Sequence, residues 1–149
     1  MKKIFYLAAF FIIHHFLTFA VLSKESKFLN KGVELFNKKE FEKSKIFFER
    51  DLVFDPKSEK SYLYLAKIFK VNGNDEEEEV NLKNVLLINP QNDEAIYMLT
   101  LLKIKQSDYD KAKDLLSKFL LVCNTFCSKD KEIEEKLLKI IPENEKNNN

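Results

Sequence analysis

The chain has 149 residues, enough for one domain with short extensions. Two glycines, three prolines and 33% charged residues point to helices joined by short turns and away from a β fold. The net charge is +1, or −1 without Lys2 and Lys3, and no basic stripe is evident, so nucleic acid is excluded as a partner.

Residues 1–23 read as a targeting segment. Lys2 and Lys3 precede an apolar run from Ile4 to Leu22 that is broken by His14 and His15. As a helix this run would span about 28 Å, close to the ~30 Å hydrocarbon core of a bilayer. Its length therefore suits a cleaved signal peptide and a retained membrane anchor alike. Small residues suit cleavage after Ala20 or after Ser23. The two histidines disfavour a lipid-buried helix and have no third histidine to join them at a metal. Lys24, Lys27 and Lys31 would hold a retained segment's flank in the cytoplasm, whereas the short Lys-Lys start favours export. The expected location is exported, either periplasmic or membrane-anchored and facing the periplasm. No cysteine lies beside the cleavage positions, which excludes a lipoprotein anchor.

From Phe41 to Pro56 the apolar residues Phe41, Phe47, Phe48 and Leu52 recur at helical spacing. Asp55-Pro56 then stops the helix, because proline cannot continue it and restricts the residue before it. Thirty-four residues later Val85-Leu-Leu-Ile-Asn-Pro90 matches Asp51-Leu-Val-Phe-Asp-Pro56 position for position. Phe119-Leu-Leu-Val-Cys-Asn124 is a third copy, with Asn124 in place of the proline. Two helical patterns per 34-residue period resemble the tetratricopeptide repeat (TPR), and Phe41 to Pro56 is similar to the second half of that repeat.

The resemblance implies an all-α solenoid of three helix-turn-helix repeats, at about 25–58, 59–92 and 93–126, preceded by the signal or anchor helix. In the first repeat Phe28, Gly32 and Leu35 face the partner helix, Gly32 permitting close approach, and Asn37–Glu40 form the turn. In the second, Tyr62, Leu65, Ala66 and Phe69 match them, Gly73 turns the chain and Asn74 caps the next helix. The acids of Asp75–Glu79 suit the first turn of a helix rather than a calcium loop. Glu78 stands where the repeat has a small residue, which predicts weaker packing of that hairpin. In the third, Ile96, Leu99, Thr100 and Lys103 follow the pattern, Lys103 matching an aromatic poorly. Ser107–Tyr109 form its turn, and Tyr109, Ala112, Leu116 and Phe119 its second helix.

Ser128 is expected to cap a final helix over 128–141, whose edge of Ile133, Leu137, Ile140 and Ile141 covers the third repeat. Pro142 ends it, and 142–149 form a tail of disorder-prone composition. Nothing in the sequence covers the front of repeat one, leaving Phe28 and Leu35 to a partner or the membrane.

After residue 23 there is no histidine, and the chain has no tryptophan and no glycine-rich phosphate loop. A non-enzymatic protein with neither cofactor nor metal is expected. Cys123 and Cys127 invite a disulfide in an oxidising compartment, provided that the connection between them is not helical. Such a loop would contribute about 2 kcal/mol on the chain-entropy model. Free buried thiols and a redox or metal site are the alternatives.

TPR domains line a concave groove with the first helix of each repeat. By that resemblance the groove residues are Leu29, Val33 and Phe36, then Leu63, Lys67 and Lys70, then Tyr97, Leu101 and Ile104. They describe an apolar channel with a basic centre, suited to an apolar peptide segment carrying an acidic group; loose packing of terminal repeats is the alternative. The Lys/Asn/Arg clamp with which some TPR domains hold a terminal carboxylate is absent, its positions carrying Leu29, Val33, Tyr64, Glu94 and Met98. The expected role is a protein-interaction adaptor or scaffold in the cell envelope that binds a partner segment in its groove. The second reading is a membrane-tethered structural subunit of a larger membrane complex, associated with the membrane through residues 4–22.

Overall fold

The computed structural model describes residues 26–139. Within them lie α1 (Lys27–Asn37), α2 (Phe41–Phe54), α3 (Glu59–Val71), α4 (Asp75–Ile88), α5 (Asp93–Lys105), α6 (Tyr109–Val122), a 3-10 turn (Cys127–Lys129) and α7 (Asp130–Leu138). No strand occurs among the described residues. The apolar run 4–22 with His14 and His15, and the tail with Ile140, Ile141 and Pro142, lie outside them. No described helix is long and apolar enough to cross a membrane.

Helices pair as α1–α2, α3–α4 and α5–α6, and the hairpins stack through α2–α3 and α4–α5. The backbone repeats with the sequence. Asp55 (φ −129°, ψ 87°) and Asn89 (φ −129°, ψ 92°) end their helices in the same conformation, each before a proline. Lys39 (φ 60°), Gly73 (φ 70°) and Ser107 (φ 62°), spaced by 34, make the same left-handed turn inside each hairpin. Only one of the three is the glycine that this conformation favours. Asn74 and Asp108 then cap the second helices through their side chains, accepting from the N–H of Glu77 and Lys111.

Inside the first hairpin a Cβ on Gly32 would come 2.5 Å from Phe48 Cε1. Ser44 Oγ uses the same proximity to donate to the Gly32 carbonyl at 2.8 Å. At the equivalent places Ala66 and Thr100 are also fully buried. Leu35 is buried within its own hairpin, and Phe28 stacks on Phe54 with ring centroids 5.3 Å apart. Leu35 therefore needs no outside partner.

One small core joins Leu29, Phe48, Leu65 and Ile68. A larger one runs from Ala66 and Leu82 through α5 and α6 to Ile133 and Leu137 of α7, which packs on α5 and α6 as a closing helix. Ser128 is not its cap. It sits within the 3-10 turn, and α7 starts at Asp130, whose carboxylate accepts from the Lys131 N–H at 2.6 Å. The disulfide-bearing loop delays the helix by a few residues.

The two repeat junctions use different chemistry at matching positions. Between α2 and α3 the buried Asp51 accepts from Ser61 Oγ at 2.6 Å. Burial pushes its carboxyl up, but the hydroxyls of Ser26, Ser58 and Ser61 outweigh burial and hold it below its usual value, while its Oδ1 has no close hydrogen bond among the described residues. Between α4 and α5 the same two places hold Val85 and Ala95, both fully buried. Replacing one partner of a buried polar pair strands the other, whereas replacing both by apolar groups is nearly neutral or stabilising. Ser61→Ala should cost about 1–3 kcal/mol in urea unfolding, and the double variant Asp51→Val/Ser61→Ala should recover part of that loss, Ser26 and Ser58 losing the carboxylate. Lys39→Gly and Ser107→Gly should each stabilise by roughly 0.5–1 kcal/mol by relieving the left-handed turn; Gly73→Ala should do the reverse.

Candidate interaction groove

Leu63, Lys67 and Lys70 fall on one face of α3, spaced by four and three residues, and two adjacent hollows open along that face. The first, of about 350 Å³, is lined by Leu29, Asn30, Val33, Lys60, Leu63, Tyr64, Lys67 and Glu94. Lys67 is engaged there: its Nζ lies 2.8 Å from Glu94 Oε1 and 5.0 Å from the Tyr64 ring centroid. Leu29 forms its floor but belongs to the core, with 6% of its surface exposed.

The second hollow, of about 620 Å³, has Leu101, Leu102 and Ile104 as its apolar floor. Lys70, Lys105, Lys136 and Lys139 stand around it, and Glu78 completes the lining. Lys136 comes from α7 and Lys139 caps its C-terminus. Sequence reasoning missed them because α7 was assigned a covering role alone, although a helix that covers one face presents its other residues to the groove. Glu78 is 3% exposed, and its carboxylate makes no hydrogen bond or ion pair among the described residues, although its backbone N–H donates to the Asn74 carbonyl at 3.0 Å. Burial pushes its carboxyl up; Lys70 opposes this, Asp75 adds to it and Lys105 opposes it. The site that Ser44 and Ala112 fill with small side chains thus holds an acid turned into a cationic, apolar hollow.

Phe36 and Tyr97 line neither hollow. Phe36 packs edge-on against Phe41 (5.3 Å) and Tyr64 (5.0 Å), bracing α1 on α3. Tyr97 donates to Glu132 Oε2 at 2.9 Å and packs near Phe126, so α7 covers it. Burial, with the Glu132 carboxylate beside it, raises the Tyr97 hydroxyl to about 12. Of the nine residues assigned to the groove, Leu29, Val33, Leu63 and Lys67 line the first hollow, and Lys70, Leu101 and Ile104 the second.

Ion pairs join α4 to α5, and one of them engages Lys105 of the second hollow. Lys105 Nζ meets Asp75 Oδ1 at 2.6 Å, and Glu79 receives Lys103 at 2.7 Å and Lys83 at 2.6 Å. Lys103 is the residue that matched the repeat's aromatic poorly. One repeat earlier the same two places hold Phe69 and Lys45, whose Nζ lies 5.3 Å from the ring centroid. A cation–π contact at the first junction is thus replaced by an ion pair at the second.

Cys123 ends α6 and Cys127 opens the 3-10 turn; a disulfide joins them with Cα atoms 5.1 Å apart. Asp93 Oδ2 ties down the loop between them, accepting the N–H groups of Asn124 (2.8 Å), Thr125 (2.6 Å) and Phe126 (2.9 Å). Burial pushes this carboxyl up, but the backbone donors outweigh burial and hold it below its usual value. Glu59 does the equivalent work one repeat earlier, accepting from the side-chain amides of Asn89 (3.0 Å) and Asn92 (2.5 Å). Among the described residues no three His, Cys, Asp or Glu side chains converge in a metal-holding cluster.

Among solved structures the chain resembles the Sgt2 TPR domain from Aspergillus fumigatus, with a TM-score of 0.65 and 19% identity over 76% of this chain and 77% of that one. It also resembles a chain of the CopN-Scc3 complex (TM-score 0.64, 15% identity, 80% and 72% covered). MamA is a third such structure (TM-score 0.59, 21% identity, 74% of each chain covered). The fold is a TPR solenoid. No family model and no curated protein matches the sequence.

The Lys103 and Lys83 contacts lower Glu79 from 4.5 to about 2. A carboxylate depressed on folding contributes stability that is present above its unfolded value and lost as pH falls through its folded value. The Tm difference between wild type and Lys103→Met should therefore be constant near neutrality and shrink between about pH 4.5 and about pH 2.

Proposed function

We propose that this TPR solenoid is a non-enzymatic adaptor of the cell envelope that holds a partner segment in the groove along α3, α5 and α7. The observation that carries this reading is the second hollow, where Leu101, Leu102 and Ile104 lie beneath Lys70, Lys105, Lys136 and Lys139. Its floor favours an aliphatic side chain and its rim favours acidic neighbours, so the partner is an apolar protein segment flanked by Asp or Glu. The CopN-Scc3 chain, similar in fold, comes from a complex, which supports a protein partner. Residues 1–23 deliver the domain to the envelope, either as a signal peptide or as an anchor that tethers it to a membrane assembly.

Fluorescein-labelled peptides with an Ile-Leu core flanked by Glu, Gln or Lys test the groove. The Glu-flanked peptide should bind best, and Leu101→Asp or Lys70→Glu/Lys136→Glu should weaken it about tenfold or more, a change of 1.4 kcal/mol per decade. Helical circular dichroism should stay intact. Equal binding of the Glu- and Lys-flanked peptides would reject the assignment. Mass spectrometry of the mature N-terminus separates the two deliveries: Val21 or Lys24 first means release, intact Met1 means tethering.

A further inference from the structure

The second helix of each repeat exposes one large aliphatic side chain at the same place. Val53 is 76% exposed, Leu87 81% and Leu121 86%, and they are spaced by 34 residues. Neighbouring Phe54 (72%) and Leu120 (50%) widen this strip. Isolated exposed aliphatics are ordinary, but a row at the repeat period lines them up along one edge of the solenoid. Leu87 also borders a hollow of about 520 Å³ formed with Pro56, Lys57, Tyr62, Asn84 and Ile88, so the edge is furrowed between its first two rungs. None of these residues belongs to the groove.

Two observations say what covers this edge. The charges flanking the rungs are mostly cationic: Arg50, Lys57, Lys83 and Lys118 against Glu49 and Asp55. Of the acids, Glu49 is paired with Lys45 at 3.7 Å, while Lys83 is paired with Glu79. The second observation is where the chain enters. The described structure begins at Ser26, and Phe28 stacks on Phe54 beside the first rung. The first described helix, which the apolar run 4–22 precedes in sequence, thus begins beside this strip. We propose that the Val53–Leu87–Leu121 edge rests on an anionic lipid surface, its aliphatic rungs at the acyl boundary and its lysines and arginine among the headgroups. Shallow burial of apolar side chains combined with attraction to acidic lipid is the physics of interfacial binding. Two copies of the chain pairing along this edge would instead set like-charged rims against each other. The groove, on other helices, stays open to a partner while the edge is on the membrane.

The test uses the full chain with phosphatidylcholine vesicles, with and without phosphatidylglycerol, read by hydrogen exchange and mass spectrometry. Amides at 52–57, 86–91 and 120–125 should exchange severalfold more slowly on the anionic vesicles than in solution. Val53→Ser/Leu87→Ser/Leu121→Ser, all at exposed positions, should abolish that slowing while the protein still sediments with vesicles through residues 4–22 and keeps its helical circular dichroism. Three results would each overturn the proposal: a chain that does not sediment with anionic vesicles, slowing that survives the triple substitution, or slowing that appears without vesicles as protein concentration rises and so reports a second copy.

Discussion

Helix α1 can lie on α2 because position 32 carries no side chain. Phe48 occupies the space a Cβ would need, and the Ser44 hydroxyl reaches the Gly32 carbonyl across the gap. Everything downstream depends on that approach, since a hairpin whose helices stand apart cannot offer α3 a continuous surface. The contact recurs with altered partners. Gly32 faces Phe48, whereas Ala66 and Thr100 pack in hairpins whose matching residues are Leu82 and Leu116. From the first hairpin to the second, Gly and Phe become Ala and Leu, so the small side grows as the large side shrinks and volume is conserved at a close-packed interface. Thr100 satisfies its own hydroxyl on the Ile96 carbonyl, 2.7 Å away, so it adds bulk without stranding a polar group.

Between hairpins geometry is conserved while chemistry is not. Asp51–Ser61 becomes Val85–Ala95, and Lys45 over Phe69 becomes Glu79 with Lys103. Each substitution looks like a defect when one residue is compared with a repeat pattern. As pairs they are complementary, because a junction asks that what meets across it be of compatible size and chemistry. Loops obey the same logic. Glu59 and Asp93, at the starts of α3 and α5, each reach forward to hold the loop that closes their own repeat.

These constraints leave the two sides of the solenoid with different jobs. The first helices, together with α7, surround hollows of mixed apolar and cationic lining. The second helices turn a row of aliphatic side chains outward. A repeat buries only what its neighbours cover, so residues outside those contacts carry no burden of folding and record what the surface meets.

Sequence alone determined the architecture: the 34-residue period, the proline-marked helix ends, the turn at Gly73 and the close approach at Gly32 are local or periodic signals, written in residue types whose backbone and size requirements are strong. Seven of the nine residues expected to line a groove border a hollow, because helical spacing sets which side chains share a face. The rest belonged to tertiary structure. Tyr97 sits beneath α7, Lys136 of α7 and its C-cap Lys139 border the second hollow, and Glu78 lies buried close to Lys70 and Lys105. Each depends on the angle at which one helix crosses another, and crossing angle follows from the sum of contacts along both helices rather than from any residue read in order.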